Sequence, residues 1–206
     1  MAFFDKNNII KNYKKNEYII LEVGSSDKRV FKNSFCIDII DSKEVDIVGN
    51  IYDVISKFSD NSVDHIYSSH CLEHLDDIEK IIVEFTRVLK INGKIEIIVP
   101  HFSNPFFYSD PTHKKFFGIY TFSYFLNDDY FNRTVPKYKK ILPLKIKNVQ
   151  LIFKSFRPRY LRHIYKKIFQ VIFNLSVFTK ELYEESFSSI ISCYEIKFII
   201  KKTYDK

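Results

Sequence analysis

The densest group of histidine, carboxylate and aromatic side chains in the chain lies in residues 100–117. An imidazole titrates near neutral pH, so His113 is a candidate base for an acceptor hydroxyl, and Asp110 is a candidate to orient it. The same residues also suit a structural role, in which Asp110 and Thr112 cap a turn and His113 packs beneath the aromatic rings. We expect His113 and Asp110 to lie in an acceptor pocket with His101 nearby.

A second group of histidines occurs at residues 70–74, which read HCLEH and satisfy the HxxEH pattern of zinc metalloproteases. That chemistry requires a helix that places both histidines on one face. Here the pattern straddles a predicted junction between strand and helix, and His70 still lies in the loop. We therefore predict that no metal is bound and that no zinc is needed.

Three short polar segments follow predicted strands, at the places where open α/β sheets bind ligands. Gly24 ends the first strand and lets the backbone turn tightly beside a ligand. Asp38 follows Glu22 by 16 residues, where a carboxylate is the usual partner of a ribose diol, although a solvated strand-end acid is the alternative. After the third strand, Asn50 and Ile51 offer a polar and an apolar contact to the edge and face of an adenine.

The elements that must position these residues alternate between strand and helix. The strands expected in the first half are Tyr18–Val23, Phe35–Ile40, Val45–Val48, Val63–Ser69 and Lys94–Pro100. Residues 76–90 place their apolar side chains on one helical face, and Asn92 and Gly93 are expected to stop that helix. About ten residues connect Gly24 to the second strand, so one helical turn or none is expected there. The alternation favours a parallel sheet with crossover helices.

The second half of the chain gives weaker patterns. We expect a short helix over Ile119–Leu126, a strand over Lys145–Lys154, a helix over Tyr160–Phe178 and a closing strand over Cys193–Lys202. The long helix carries an apolar stripe, which we expect to pack on the domain: Leu161, Ile164, Tyr165, Ile168, Val171, Ile172 and Leu175.

In order and spacing, five segments within residues 18–126 resemble the class I S-adenosylmethionine-dependent methyltransferases, most closely the small type 11 branch. They read LEVGSS, CIDI, VGNIYDV, FSDNSVDHIYSSHCLEHL and EFTRVLKINGKIEIIVPHF. The resemblance implies a Rossmann-like α/β fold, with a seven-stranded, mostly parallel sheet whose last strand is antiparallel. We expect one domain over residues 1–206. Its appendages are a helical N-terminal extension (1–17), an acceptor-side loop with a short helix (101–144) and a basic amphipathic helix (156–180).

The resemblance also implies S-adenosylmethionine as cofactor and S-adenosylhomocysteine as its product. The implied cofactor-binding residues are Glu22, Gly24, Ser25, Asp38, Asn50, Ile51 and Ser69. Ser68, Ser69 and His70 match the loop that lines the methyl-transfer channel, so His70 joins His113 and Asp110 as a catalytic candidate. The sequence departs from the family at Ser25 and Ser26, where relatives carry glycine, and at Asn50, where many carry aspartate.

Charge is distributed unevenly along the chain. The net charge is +7, yet residues 133–180 hold 13 Lys and Arg and no Asp or Glu. This basic third indicates either an anionic partner or a solvated basic face. We expect the helix there to meet an anionic acceptor through Arg157, Arg159, Arg162 and Lys166, with a membrane surface or a homodimer as further roles for its apolar stripe.

The N-terminus has no apolar core of signal-peptide length, and the longest apolar stretch is too short to span a bilayer, so we expect a cytoplasmic protein. Three cysteines without CxxC spacing fit a reducing compartment.

The segment at residues 110–117, which reads DPTHKKFF, resembles members of the branch that are encoded with surface-polysaccharide genes. We therefore expect O-methylation of a small polar acceptor, such as a sugar or a phosphorylated intermediate of surface glycan synthesis. Two rival functions stay open. One is nucleic-acid methylation, for which the sequence offers no added RNA-binding module. The other is a scaffold that binds the cofactor without turnover, which the degenerate loop after Gly24 would suit.

Overall fold

The computed structural model describes residues 3–14, 16–126, 128–138, 141–156 and 158–204. The strands are β1 (Phe4–Asp5), β2 (Ile20–Val23), β3 (Ser34–Asp38), β4 (Ile47–Val48), β5 (Val63–Ser69), β6 (Leu89–Pro100), β7 (Leu144–Ile152) and β8 (Glu195–Lys202). The helices are α1 (Ile9–Asn12), α2 (Ile51–Ile55), α3 (Ile78–Val88), α4 (Tyr160–Phe173) and α5 (Val177–Leu182). Single 3₁₀ turns lie at Leu72–His74, Phe107–Ser109 and Phe122–Tyr124, and a π turn at Tyr183–Phe187 follows α5.

These strands form one eight-stranded sheet in the order β1-β4-β3-β2-β5-β6-β8-β7. Strands β2 to β6 pair in parallel, and β8 runs antiparallel to both β6 and β7, which confirms the predicted fold class and the antiparallel last strand. The eighth strand was not expected. It is β1, which pairs antiparallel with β4 and forms the far edge of the sheet.

The sequence predicts a helical N-terminal extension, but the structure has a strand there as well as a helix. Its helical part is the four-residue α1, whose first amides donate to the Asp5 carboxylate, from Ile9 at 2.8 Å and from Ile10 at 2.9 Å. Residues 4–5 instead pair with β4, and the Lys6 amide donates to the Asp46 carbonyl at 3.0 Å. Pairing with a sheet edge gives these backbone groups partners that a short isolated helix cannot supply.

Helix α3 is capped by Asp77, whose carboxylate accepts from the Lys80 amide at 2.9 Å, and it ends at Val88. The expected helix stop at Asn92 and Gly93 is wrong, because β6 already begins at Leu89. Asn92 and Gly93 instead form an irregular turn within the strand, where the register against β5 shifts and Asn92 adopts a φ of +64°. A Cβ on Gly93 would lie 2.8 Å from Leu89 Cγ, so only glycine fits this turn.

The short connection between β2 and β3 contains no helix, in agreement with the expectation of one helical turn or none. In the second half, the helix expected over Ile119–Leu126 is reduced to the single turn at Phe122–Tyr124. The helix expected over Tyr160–Phe178 is split into α4 and α5, because Ser176 and Thr179 form a capping box that begins a new helix.

Helix α4 lies against the edge strand β7 with its polar face inward. Gln170 accepts from the Phe153 amide at 3.0 Å, and Asn174 both accepts from the Leu151 amide at 2.9 Å and donates to the Leu151 carbonyl at 2.8 Å. An edge strand exposes unpaired backbone groups, and these side chains satisfy them. The prediction that the apolar stripe packs on the domain is therefore wrong. Its residues are exposed, with Leu161 at 84% and Val171 at 65% of their full accessible surface.

The core fills both faces of the sheet, where residues such as Leu21, Ile66, Ile97 and Phe198 are fully buried. The parallel strands β2 to β6 end at a common edge of the sheet, so the residues that follow them meet there. Within the described residues, no helix combines the length and the apolar character needed to cross a membrane.

Candidate active site

The loop after β2 packs directly against the loop after β5 at Gly24. Gly24 has a φ of +74°, and a Cβ placed on it would lie 2.4 Å from the Cβ of Cys71. Both the conformation and the contact exclude a side chain, so this glycine lets the loop after β5 close over the end of β2. Gly24 thereby joins the two loops from which the site is built.

Glu22 holds the loop that follows Gly24. Its carboxylate accepts from the amides of Val30 at 2.9 Å and Phe31 at 2.6 Å and from the hydroxyl of Ser34 at 2.5 Å. The side chain is buried, and this set of donors explains how a residue of that charge is tolerated there. Glu22 shapes the loop around a cavity of about 420 Å³. The cavity is lined by Glu22, Val23, Gly24, Ser25, Ser26, Asp27, Lys28, Val30, Tyr67 and Ser69.

Asp38 lies at the end of β3, beside this loop. Its two carboxylate oxygens accept from the amides of Ser26 at 2.8 Å and Ile40 at 2.9 Å. A carboxylate offers about four lone-pair positions, so each oxygen keeps capacity for a further donor such as a ribose hydroxyl. Asn50 caps α2 by accepting from the Tyr52 amide at 3.0 Å, which leaves its amide NH₂ group available. Ile51 is buried in the core, so its side chain serves packing as well as any ligand contact.

Two buried hydroxyls at the strand ends lack ordinary hydrogen-bond partners among the described residues. They are Ser25 Oγ and Ser68 Oγ, which have weak contacts there with the thiols of Cys36 and Cys71. Buried polar groups are normally satisfied, so the Ser25 hydroxyl, which lines the cavity, is available to a polar ligand there. Asp38 and Asn50 keep further hydrogen-bonding capacity at the neighbouring strand ends.

His70, just beyond β5, is held between two carboxylates. Its Nδ1 lies 3.2 Å from Glu73 Oε1 and its Nε2 lies 2.9 Å from Glu195 Oε1. These hydrogen bonds outweigh the effect of burial and raise the pKa of His70 to about 9. His70 is therefore protonated at neutral pH, where it stabilises negative charge and does not act as a base. Glu195 also accepts from Lys154 Nζ at 2.7 Å.

His113 lies in a second cluster, which consists of Glu73, His74, Asp110, Thr112 and His113 and is called here the histidine cluster. His113 Nδ1 lies 2.9 Å from the Phe107 carbonyl, and its Nε2 lies 3.6 Å from Asp110 Oδ2. Thr112 donates to Asp110 Oδ1 at 2.6 Å and lies 2.9 Å from His74 Nδ1. These hydrogen bonds of Thr112 lower the pKa of Asp110 below its usual value.

The structural role considered for this segment is present in the fold. Asp110 does cap the turn, because it accepts from the Thr112 amide at 2.9 Å, and His113 packs against the Phe107 ring with centroids 4.6 Å apart. The Nε2 atom of His113 nevertheless faces the cluster. His101 is engaged elsewhere. It is fully buried, with its nitrogens 2.8 Å from Ser103 Oγ and 3.2 Å from Glu184 Oε2.

A cavity of about 510 Å³ lies between α4 and the end of β8, and we call it the cationic pocket. It is lined by Asn104, Pro105, Phe106, Lys154, Ser155, Phe156, Pro158, Arg159, Arg162, Lys166, Ser192, Cys193 and Tyr194. Among the described residues, no carboxylate lies within ion-pair distance of Arg159, Arg162 or Lys166. Burial, together with the nearby charge of Arg162, lowers the pKa of Lys166. Arg157, a further residue expected here, lies outside the described residues.

The sequence indicated the cations of this pocket but not its aromatic wall. The rings of Phe106, Phe156 and Tyr194 lie 5.3 to 6.4 Å apart by their centroids, and Lys154 Nζ lies 4.1 Å from the centroid of Tyr194. Lys154 connects the pocket to His70 through Glu195. No local spacing in the sequence predicts that connection, because His70 and Glu195 are 125 residues apart.

Comparison with known proteins relates this geometry to an enzyme class. Residues 27–97 match a protein family described as a methyltransferase domain. The fold resembles a S-adenosylmethionine-dependent methyltransferase from Archaeoglobus fulgidus, with a TM-score of 0.54 at 15% identity over 91% of this chain and 87% of that one. The chain has the fold of S-adenosylmethionine-dependent methyltransferases. These findings confirm the predicted fold, and the matched domain supports the predicted methyltransferase class.

Two further methyltransferase structures share the fold. A putative methyltransferase from Bacillus halodurans C-125 aligns with a TM-score of 0.53 at 12% identity, over 95% of this chain and 96% of that one. A Haloferax volcanii structure, a complex between the Trm112 methyltransferase activator and a putative methyltransferase, aligns with a TM-score of 0.54 at 12% identity, over 91% of this chain and 83% of that one. A search of curated protein sequences finds no significant match.

Proposed function

We propose that the protein transfers a methyl group from S-adenosylmethionine to a hydroxyl of a small anionic acceptor, such as a phosphorylated sugar of surface glycan synthesis. The observation that carries this proposal is a series of contacts that runs between two differently built cavities. One lies at the ends of β2, β3 and β5, where Gly24, Asp38 and the buried serine hydroxyls suit a nucleoside. The other is the cationic pocket, which suits an anion and is connected to the first side through Lys154, Glu195 and His70.

On this proposal, the cofactor-binding residues are Glu22, Gly24, Ser25, Asp38, Asn50, Ile51 and Ser69. Asp38 accepts from the ribose hydroxyls, Asn50 contacts the adenine edge, and Gly24 with Ser69 borders the methionine part. Glu22 acts through the loop that its carboxylate holds.

S-adenosylmethionine supplies a methyl group on a sulfonium, from which sulfur leaves as a neutral thioether. The acceptor oxygen donates an electron pair to form the new C–O bond. The S–CH₃ bond breaks at the same time, and the electron pair of that bond stays on sulfur. The hydroxyl proton passes to His113 Nε2, while the Phe107 carbonyl orients the ring by accepting from Nδ1 at 2.9 Å. Asp110 lies 3.6 Å from Nε2 itself, where it stabilises the protonated ring. His70 stays protonated and contributes positive charge near the acceptor. Most of the rate gain comes from holding donor and acceptor in line.

The acceptor class is supported by the composition of the cationic pocket. Guanidinium groups bind phosphate oxygens in a bidentate manner, and Arg159 and Arg162 have no carboxylate partner among the described residues. The aromatic wall offers flat apolar surface beside these charges, as in ligand pockets that combine apolar lining with a few polar groups.

Calorimetry with S-adenosylmethionine and S-adenosylhomocysteine tests the cofactor side directly. We expect both to bind the wild-type chain, and Asp38→Ala to weaken binding by about 1–3 kcal/mol, because hydrogen bonds to a charged group are lost. Glu44→Ala, which alters an acid on the same side of the sheet outside the cavity, serves as the matched control. Unchanged affinity in Asp38→Ala would remove the ribose assignment. Binding without turnover on any sugar phosphate would favour the scaffold function.

We also propose that the exposed apolar stripe of α4 rests on an anionic membrane surface that carries the acceptor. Eight neighbouring apolar side chains are exposed there: Leu161, Ile164, Tyr165, Ile168, Val171, Ile172, Leu175 and Phe178. Contiguous apolar patches of this kind are uncommon on monomeric proteins and mark interaction sites. Because residues 133–180 contain 13 basic and no acidic residues, a second copy would bring like charges together, whereas an anionic lipid surface complements them.

Vesicle flotation tests this partner. We expect the wild-type protein to float with vesicles of phosphatidylcholine and phosphatidylglycerol, but not with phosphatidylcholine alone, and high salt to weaken the association. The double variant Leu161→Ser/Ile168→Ser should lose flotation and keep its fold, since both residues are exposed. Val83→Ser removes an exposed apolar side chain on another helix and should change nothing. A concentration-dependent dimer that does not float would assign the stripe to a second copy instead.

A further inference from the structure

The histidine cluster contains the donor atoms of a metal site. Glu73, His74 and His113 each offer one ligand atom, and the three atoms lie within 4.8 Å of one another. Two imidazole nitrogens and one carboxylate oxygen are the donor set of many catalytic zinc sites and of non-haem iron sites. We propose that these three residues bind a divalent transition-metal ion of the zinc class.

The hydrogen bonds fix the state of both histidines. The Phe107 carbonyl can only accept, so His113 Nδ1 carries a proton and donates to it at 2.9 Å. Thr112 uses its single proton on Asp110, so it must accept from His74 Nδ1 at 2.9 Å. In the neutral form of each imidazole, Nε2 is then the nitrogen without a proton, and it is the atom that can bind a metal ion. Metal-binding histidines show this arrangement, in which the second nitrogen donates to an outer acceptor and orients the ring.

The carboxylate has a matching arrangement. Glu73 is fully buried; its Oε1 lies 3.2 Å from His70 Nδ1, and its Oε2 has no hydrogen-bond partner among the described residues. A buried carboxylate oxygen without a donor is costly, and a bound cation would satisfy it. His70 then holds the carboxylate through its other oxygen, while Thr112 and the Phe107 carbonyl orient the imidazoles of His74 and His113.

This donor set differs from the HxxEH pattern considered in the sequence. That pattern pairs His70 with His74, but both nitrogens of His70 are engaged by Glu73 and Glu195. The structure instead brings His113, 39 residues beyond His74, to the same place. We therefore replace our expectation that the chain binds no metal with a site that spacing within residues 70–74 does not predict.

Three protein ligands leave at least one coordination position open. The role of that position rests on the function proposed above, whereas metal binding itself does not. An acceptor hydroxyl bound there would lose its proton more readily, the proton passing to Asp110 or to water. The resulting oxygen anion then forms the C–O bond as the S–CH₃ bond breaks. In this arrangement His113 is a ligand, and the metal ion takes over the task assigned to its Nε2.

Metal titration of the chelator-treated protein tests the proposal without an activity assay. We expect one Zn²⁺ per chain in competition with a chromophoric chelator, and Co²⁺ to give ligand-field absorption bands typical of nitrogen and oxygen ligands. His74→Ala should weaken binding at least about 100-fold, because changes in outer-shell partners alone cost 10–100-fold. Thr112→Val changes no proposed ligand but removes the acceptor of His74 and the donor to Asp110, and we expect a loss of about 10-fold or more.

Matched controls separate metal binding from folding and from methyl transfer. His163→Ala removes a histidine that contacts Ser155, outside the cluster, and should bind Zn²⁺ as the wild type does. Thr112 is exposed, so Thr112→Val should keep the melting temperature of the metal-free protein. The proposal is overturned if Zn²⁺ does not bind stoichiometrically, or if His74→Ala and Thr112→Val both bind it unchanged. Calorimetry with S-adenosylmethionine on the metal-free protein shows separately whether the cofactor site exists.

Discussion

The two sides of the site are held in different ways. On the cofactor side, the carboxylates of Glu22 and Asp38 accept from backbone amides that lie 2 to 12 residues away in the chain. On the acceptor side, side chains hold one another across long separations, as in the contact of His70 with Glu195 over 125 residues and that of His74 with Thr112 over 38. A backbone-held site is a property of the local loop, whereas a side-chain network depends on the complete fold.

The orientation of α4 also depends on contacts that only the complete fold supplies. Its apolar periodicity predicts a helix, but the periodicity alone does not say which face the domain covers. The edge strand β7 needs hydrogen-bond partners for its backbone, and Gln170 and Asn174 supply them from the inner face. The apolar stripe is then left outward. Hydrophobic patterning therefore predicts the presence of an element better than its orientation, wherever the surface beneath it is a polar strand edge.

The largest expected effect is that of a substitution at His113, which should impair the acceptor side and leave the cofactor side intact. We expect His113→Asn to lower turnover by roughly 10²–10⁴, because the substitution removes the Nε2 atom that takes the acceptor proton or holds the metal ion. Cofactor affinity should stay unchanged, since the contacts of His113 in the described part of the chain are with His74, Phe107 and Asp110. The measurements are release of S-adenosylhomocysteine with an acceptor selected from a panel of sugar phosphates, and calorimetry with the cofactor.

His163→Asn serves as the control, because it removes an imidazole that lies outside the histidine cluster and contacts Ser155. Full activity in His113→Asn would favour the packing role of His113 against Phe107. A loss of cofactor binding in the same variant would break the distinction between the two sides. Addition of a chelator then tells the two catalytic roles apart, since proton transfer to His113 itself needs no metal ion.

The residues proposed for the cofactor side lie at strand ends as predicted, because strand ends can be recognised from the local sequence pattern. Gly24 and Asp38 occupy the predicted strand ends, and β5 has the bounds expected from its pattern. The acceptor side was predicted only in part. Residues 110–113 do meet, since a turn brings them together locally, but neither the position of Glu195 beside His70 nor the approach of His113 to Glu73 follows from spacing. Those contacts depend on how the loop after β6 folds over the strand ends.

The smallest expected effect concerns the cationic pocket. Arg159 and Arg162 are exposed residues of its rim with no carboxylate partner among the described residues, so their reversal should not disturb folding. We expect Arg159→Glu/Arg162→Glu to weaken binding of a sugar phosphate such as glucose 1-phosphate about tenfold, or about 1.4 kcal/mol, since a partly solvated charge contributes modestly. The double variant Lys147→Glu/Lys201→Glu changes the net charge equally at exposed positions outside the pocket and is the matched control.

If both variants weaken binding equally, the effect comes from the overall potential of the basic third and not from a site. If only the pocket variant weakens it while the affinity for S-adenosylmethionine holds, the acceptor side is a separate site, built from side chains that the completed fold brings together.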